Sequence, residues 1–262
     1  MIHMGSLNLD KLAEKTNWTN NIQYLKNNTI IEYDVQSAGL NILRDLNLIS
    51  PDKYESFLAM EKLDRNVAIG KMLQHNPQMN EQLDRGFIML RQQFFKQNNL
   101  DITDILSIKK DAIFLINREN INGDISEHIH FRQKHTYTAY IQIQHKEHFL
   151  TPFTHDLEVK GYSDLVKQYH QNRLLSDLRQ CLIYDSLGQK DQIFKLLVEL
   201  KYKLTTYNLD LDYYRSINNG HFEFKLGNDR IYVDDIKEDL LHYVNLDYNL
   251  DFILSMIKVF DI

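Results

Sequence analysis

Two aspartates at the ends of predicted strands constrain the fold of this 262-residue chain more than any other feature. Asp34 closes the β-branched run Thr29–Val35, which is typical of a strand. Asp111 lies near the tip of a strand–turn–strand pattern over residues 104–117. Strands joined by a tight turn pair antiparallel, so the N-terminal half is predicted to contain an antiparallel sheet.

Helical patterns surround these strands. Residues 7–28 are polar and have a weak helical pattern. Ser37 is predicted to cap a helix over Ala38–Leu48, and a helix starting at Pro51 is predicted to run to about Gln74. After the break at the following Asn-Pro pair, another helix is predicted over Asn80–Asn98.

The second half of the chain mixes strands and helices. Its predicted elements are strand-like His130–His148, helical Ser163–Lys203, a hairpin over His221–Val233 and helical Asp235–Phe260. The order of elements is not a regular alternation of strand and helix, so the predicted fold class is α+β. We expect two domains, over residues 7–120 and 121–262.

The composition excludes several classes of protein. A net charge of −6 argues against an extensive basic surface for nucleic acid. A single cysteine, Cys181, leaves no internal disulfide and no cysteine-based zinc site, and it fits a reducing cytoplasm. No apolar run of about 18 residues occurs, so no membrane span is expected. Abundant Asn, Ile, Lys and Tyr are typical of an AT-rich genome, such as that of a Gram-positive bacterium or its phage.

Three short segments, over residues 34–37, 62–70 and 107–115, resemble in order the three active-site motifs of the palm domain of family B (polymerase-alpha-like) DNA polymerases. The first motif is an Asp after an apolar strand with a Ser three positions on, as in Asp34 and Ser37. The second places Lys, Asn and Gly at fixed spacing on a helix, as in Lys62, Asn66 and Gly70.

The third motif, Asp-Thr-Asp-Ser before an apolar strand, is matched by Asp111 at its second Asp. The resemblance covers about residues 29–117 and implies a reduced palm-like antiparallel sheet with helices. A thumb-like role for residues 121–262 is inferred only from their position after it. It also implies a nucleotidyltransferase in which Asp34 and Asp111 are the catalytic ligands of two Mg²⁺ or Mn²⁺ ions. A nucleoside triphosphate and a nucleic acid are the implied partners.

The same resemblance assigns the remaining site residues. Lys62 is expected to contact the triphosphate, and Arg65, one helical turn away, could reach it too. Asn66 and Gly70 are expected to shape the platform for the nucleotide, near Ser37. Gly39 occupies the position of the family's Tyr, which blocks a ribose 2′-hydroxyl, so poor discrimination between sugars is expected.

Two departures keep an inactive alternative open. Lys109 stands where the third motif has its first Asp, and Ala112 replaces its Ser. Lys109 beside Asp111 could replace the charge of a metal. The alternative is therefore a palm-like accessory or inhibitory protein that holds a host protein, a phage protein or a nucleic acid.

Other patterns allow a structural interpretation beside a functional one. The charged stretch 61–65 is also typical of a solvated helix face. His128 and His130 share a strand face and could bind a metal with Glu127 or Asp156, but solvent-facing histidines fit the spacing better. Interleaved aromatic and basic residues in the second half fit either a core or a surface for single-stranded nucleic acid.

Overall fold

A computed structural model of the protein describes residues 8–143, 146–160, 174–206, 208, 216–218, 221–226, 229–232, 244–245 and 247–260. Eight α-helices lie within these residues: α1 (Leu9–Ala13), α2 (Ala38–Asp45), α3 (Pro51–Leu58), α4 (Lys62–Gln74), α5 (Pro77–Gln97), α6 (Leu174–Ser186), α7 (Lys190–Thr205) and α8 (Asp247–Val259). A 3₁₀ helix spans Ile102–Asp104.

Eleven strands lie within the described residues: β1 (Asn17–Thr19), β2 (Tyr24–Val35), β3 (Ile105–Lys109), β4 (Ala112–Ile116), β5 (Phe131–Ile143), β6 (Lys146–Leu150), β7 (Leu157–Lys160), β8 (Ser216–Asn218), β9 (His221–Leu226), β10 (Asp229–Tyr232) and β11 (Val244–Asn245). Seven of them form an antiparallel sheet in the order β1-β3-β4-β2-β5-β6-β7. A second sheet has the order β10-β9-β11, with β8 paired to β9. The protein is therefore α+β, as the sequence predicts.

The chain divides into two compact units, each with its own hydrophobic core. Of the described residues, those up to 21 and 29–136 form the first unit, and 22–28 with those from 137 onward form the second. The core of the first unit includes Leu43, Phe94 and Ile113. The core of the second includes Leu178 and Phe252.

The hairpin that carries Asp111 is confirmed. Strand β3 pairs with β4 through Lys109 and Ala112, and the two residues between them, Lys110 and Asp111, make the turn. The first four residues of β4 are all buried, which is the continuous apolar run expected of a strand covered on both faces. The turn therefore lies at the start of a buried strand.

The single helix predicted from Pro51 to Gln74 is wrong, because the structure has two helices there. Helix α3 buries Tyr54 and Phe57, whereas α4 buries Ile69. In one continuous helix, Ile69 would lie about 120° around the axis from Phe57, so both could not face the same core. The break at residues 59–61 lets each helix turn its own apolar side inward.

Other boundaries also differ from the predictions. Helix α2 ends at Asp45 rather than Leu48. Residues 8–28 contain the short helix α1, followed by β1 and the first residues of β2. Helix α5 begins at Pro77, three residues early, because the Asn76 side chain accepts a hydrogen bond from the Met79 amide. In the region predicted helical from 235, Val244–Asn245 is strand and pairs with β9.

The predicted hairpin of β9 and β10 is confirmed. Residues 163–173 of the helix predicted over Ser163–Lys203 lie outside the described residues.

Candidate functional site

The three motif-like segments line one cleft in the first unit, with a volume of about 930 Å³. Every site residue predicted from the sequence contributes to its wall: Asp34, Ser37, Gly39, Lys62, Arg65, Asn66, Gly70 and Asp111. Strand β5 contributes a fourth segment, Arg132–Lys134, which the motif pattern does not contain. The cleft thus collects residues that are up to 100 positions apart in the sequence.

Asp34 reaches the cleft because β2 ends there. It pairs in register with Ala112, the first residue of β4. Its neighbours Tyr33 and Val35 are buried, whereas the side chain of Asp34 keeps 27% of its surface exposed. The strand therefore presents this carboxylate beside the β3–β4 turn that carries Asp111.

The pKa of Asp111 depends both on its partial burial and on the neighbouring carboxylate of Asp34. Burial raises the pKa of Asp111, and the negative charge of Asp34 raises that pKa further. Lys110 and Lys134 oppose the increase to a smaller extent. The two carboxylates are thus close enough to repel each other, and a cation placed between them would relieve this repulsion.

Arg91 lies behind the turn, inside the core. Its side chain is 2% exposed, and its guanidinium donates to the carbonyl oxygens of Ala13 (2.6 Å) and Lys110 (2.8 Å). Burial lowers the pKa of Arg91 to about 10, and the charge of Asp111 partly offsets this effect. The arginine therefore remains a cation at neutral pH. Sequence reasoning missed it, because its place inside a helical pattern gives no local signal of this contact.

Lys134 contacts the Asp34 carboxylate at the edge of the cleft. Its Nζ lies 3.0 Å from Asp34 Oδ2 and 3.4 Å from Glu32 Oε1. Burial alone would lower the pKa of Lys134, but the hydrogen bonds and charges of Asp34 and Glu32 outweigh it and raise the pKa. The one available sequence signal was the spacing of Arg132 and Lys134, two apart on a strand.

One side of helix α4 lines the cleft. Lys62, Arg65, Asn66 and Gly70 line the cleft, and their spacing of three and four residues places them along one side of the helix. Ile69 and Leu73 also line it, whereas Leu63 is 74% exposed. The helix therefore contributes both polar and apolar groups to the cleft.

Helix α2 begins at the cleft without the predicted side-chain cap. Ser37 holds the cap position, but its backbone is left-handed (φ 55°) and its hydroxyl makes no capping hydrogen bond. Instead, the side-chain amide of Asn41 donates a hydrogen bond from Nδ2 to the carbonyl oxygen of Gln36, at 2.9 Å. An added Cβ at Gly39 would meet Phe87 Cζ at 4.0 Å, which is ordinary contact, so this wall has room for a side chain.

Lys109 and Lys134 make different contacts. Lys109 Nζ donates to Thr19 Oγ1 at 3.1 Å, and Lys109 is not among the described residues that line the cleft. Lys134, from a different strand, contacts the Asp34 carboxylate. That Lys109 replaces the charge of a metal stays a prediction.

The histidines near β5 pair with carboxylates rather than with each other. His128 Nδ1 lies 2.9 Å from Asp45 Oδ1, and His130 Nδ1 lies 2.9 Å from Asp124 Oδ1. Arg132 shares the Asp124 carboxylate, also at 2.9 Å. His128 and His130 thus lie beside different carboxylates, and neither contact joins the two histidines.

The aromatic residues of the second half divide between core and surface. Tyr137, Tyr140 and Phe149 are fully buried and pack ring against ring. Phe153 and Tyr202 are exposed, at 95% and 64%. The aromatic positions 162, 207, 213 and 214 lie outside the described residues, so a surface for single strands there stays a prediction.

Comparison with known proteins gives the family. A model of the family described as "Bacteriophage PBS1 gene 130 protein" matches residues 7–261. The chain belongs to this phage family. None of the curated proteins matches the chain. The structure of the family B DNA polymerase from the hyperthermophilic archaeon Pyrobaculum calidifontis is distantly similar, with a TM-score of 0.48 and 10% sequence identity.

That similarity covers 92% of this chain and 46% of the polymerase chain, so this protein spans about half the length of the archaeal one. Among the described residues, every helix is too short or too polar to cross a membrane.

Proposed function

We propose that the first unit of this phage protein is a minimal palm-type nucleotidyltransferase, which transfers a nucleotide from a nucleoside triphosphate to a hydroxyl group. One observation carries the proposal. Asp34 and Asp111, from adjoining strand ends, line the same cleft as Lys62 and Arg65 of helix α4. Paired carboxylates opposite basic side chains are the arrangement that phosphoryl transfer needs, because both metal and phosphate must be held.

Asp34 and Asp111 fit a divalent metal such as Mg²⁺ or Mn²⁺. Mg²⁺ is commonly bound by one or two carboxylates, with substrate phosphates and water completing its shell. The pKa of Asp111, raised by burial and by Asp34, reflects repulsion that a bound cation would remove. When bound, such metals would lower the pKa of the attacking hydroxyl and stabilise the charge that develops on the phosphate.

The charge of the cleft suits a polyphosphate. Five basic side chains line it against the two carboxylates: Lys62, Arg65, Lys110, Arg132 and Lys134. This local excess of positive charge stands out in a chain with a net charge of −6. The attacking hydroxyl would belong to the 3′ end of a nucleic acid or to a protein. Gly39 has no side chain that could block a ribose 2′-hydroxyl, which supports acceptance of both ribose and deoxyribose substrates.

A second candidate function is favoured by Lys134. Its ammonium group already contacts Asp34 and Glu32, and an internal cation there could make a metal unnecessary. Lys109 and Ala112 also depart from the catalytic pattern of the third motif. On this account the protein is an inactive palm-like accessory or inhibitory factor that holds a host protein, a phage protein or a nucleic acid.

Incorporation of labelled nucleotides tests the first candidate. The full chain is incubated with primed templates, ribo- or deoxyribonucleoside triphosphates and Mg²⁺ or Mn²⁺. Asp34→Asn and Asp111→Asn are expected to lower the rate on the order of a hundred- to a thousandfold, because each change removes a charge that holds the metal.

The control variant is Asp52→Asn, which alters an exposed acid in the first turn of α3, away from the cleft. Unchanged rates in folded Asp34→Asn and Asp111→Asn would sink the mechanism. A wild-type protein that transfers no nucleotide and binds no metal would favour the second candidate.

A further inference from the structure

We propose that Arg91 is a positioning residue that holds the Lys110–Asp111 turn, so that the Asp111 carboxylate stays at the metal position of the cleft. This inference rests on the proposed function and extends it to a residue outside the cleft lining. Arg91 lies on α5 and is not part of any of the three motif-like segments.

The hydrogen bonds of Arg91 are unusual for a buried arginine. Fully buried arginines are rare and are normally paired with a carboxylate. Here the described hydrogen bonds of the guanidinium run to two backbone carbonyls, those of Ala13 and Lys110. The buried group therefore ties the N-terminal segment and the β3–β4 turn to helix α5.

The turn needs such support because its backbone is strained. Lys110 has φ 58°, a left-handed conformation that is uncommon outside glycine. Its amide donates to the Thr16 carbonyl at 2.6 Å, while its own carbonyl accepts from Arg91. Both the amide and the carbonyl of Lys110 are thus hydrogen-bonded, and these two bonds keep the strained conformation in place.

Helix α5 contacts the same turn a second time. The ammonium group of Lys110 lies 5.3 Å from the ring centroid of Phe87, one helical turn before Arg91. The guanidinium also attracts the carboxylate of Asp111 through its charge. Because Asp111 follows Lys110 directly, a relaxed turn would move this carboxylate away from Asp34.

Two ligands measured separately test the proposal in the full chain. Mn²⁺ affinity is measured by calorimetry, and affinity for ATP is measured without metal. Arg91→Met is expected to weaken Mn²⁺ binding about tenfold, as loss of a group supporting a metal ligand typically does. Affinity for metal-free ATP should fall less than Mn²⁺ affinity, because Lys62 and Arg65 still line the cleft and only Lys110 moves with the turn. Arg91→Lys keeps the positive charge but loses the planar guanidinium group. Its Mn²⁺ affinity should therefore lie between those of Arg91→Met and the wild type.

Arg118→Met is the matched control. Arg118 also donates to a backbone carbonyl, that of Asn98 at 2.7 Å, but it does not contact the turn or the cleft. It should change neither affinity. Wild-type Mn²⁺ affinity in folded Arg91→Met, parallel loss of both ligands, or an equal loss in Arg118→Met would overturn the proposal. If Arg91→Met does not fold, wild-type Mn²⁺ affinity in Arg91→Lys overturns it.

Amide exchange separates this proposal from the proposed function. If the wild type binds no Mn²⁺, the proposed function fails, and exchange at Asp111 and Ala112 then decides the role of Arg91. Faster exchange there in Arg91→Lys than in Arg118→Met supports the positioning role, whereas equal exchange contradicts it.

Discussion

Lys134 donates to Asp34 across 100 residues of sequence and lies 3.4 Å from Glu32. Its side chain keeps 47% of its surface exposed, so solvent screens the contact and the ammonium group can leave it. Glu32, in contrast, is only 2% exposed. We therefore interpret Lys134 as a replaceable cation that neutralises the carboxylates when no metal is bound.

Replacing Lys134 tests this interpretation. In Lys134→Met, Mn²⁺ no longer competes with an ammonium group for Asp34, so Mn²⁺ affinity should rise about two- to fivefold, the range expected for an exposed ion pair. Lys134→Arg, which keeps the charge, should remain near the wild type. Calorimetric titration with Mn²⁺ measures both. An unchanged or weaker affinity in Lys134→Met would show that the lysine does not compete with a metal.

The places of Asp34 and Asp111 at strand ends could be predicted from the sequence, because local patterns mark both strands. A β-branched run ends at Asp34, and a turn between two apolar strands contains Asp111. Lys134 and Arg91 could not be predicted in the same way, because their contacts depend on which strand or helix packs beside the turn. Local periodicity shows which face of an element is apolar, but it does not identify that element's neighbour.

Helices α2 and α5 approach each other closely at Gly86. A Cβ there would lie 2.3 Å from Ile42 Cγ2, a distance that forces the helices apart. Gly86→Ala is therefore expected to destabilise the protein by about 1–3 kcal/mol. Gly70→Ala is the matched control, because that helical glycine has no heavy atom within 4 Å of an added Cβ.

Gly70→Ala should instead stabilise the fold by about 0.5–1 kcal/mol, since alanine favours a helix. Urea unfolding of both variants measures the difference. Equal effects at the two glycines would mean that α2 and α5 do not meet at Gly86.

Strand β6 contains a buried histidine that should make stability depend on pH. His148 is fully buried, its Nδ1 lies 3.3 Å from the Ile141 carbonyl, and burial lowers its pKa from 6.5 to about 4. The unfolded chain therefore takes up a proton more readily than the folded one between pH 6.5 and pH 4. The stabilisation from neutral His148 is present above pH 6.5 and is lost as pH falls to about 4, on the order of 3 kcal/mol.

Thermal unfolding across this pH range checks the prediction. His148→Gln, which does not titrate there, should flatten the loss of stability between pH 6.5 and pH 4. The exposed His75 provides the control, and His75→Gln should keep the wild-type dependence. If His148→Gln loses stability as steeply as the wild type, another group causes the acid sensitivity.

The elements were easier to predict than their boundaries. Strands β3 and β4 carry both apolar runs and a turn, so the hairpin was predictable. The break between α3 and α4 was not, because the apolar spacing from Tyr54 to Ile69 could continue through one helix. Only the fold shows that Phe57 and Ile69 pack into the same core, which one continuous helix would not allow.

For the whole molecule, the net charge of −6 does not indicate the positive charge of the cleft. The composition predicts no extensive basic surface, yet five basic side chains gather in the cleft of the first unit. They come from α4, β5 and the β3–β4 turn, and only the fold brings them together. Net charge therefore says little about what a single cleft in this protein can bind.

The central claim is that Asp34 and Asp111 together hold a divalent metal. Calorimetric titration of Mn²⁺ into the full chain, with no nucleotide present, tests it directly, with the double variant Asp34→Asn/Asp111→Asn beside the wild type. We predict saturable binding in the wild type and its loss in the folded double variant. Equal Mn²⁺ binding in both proteins, or none in the wild type, would contradict the claim.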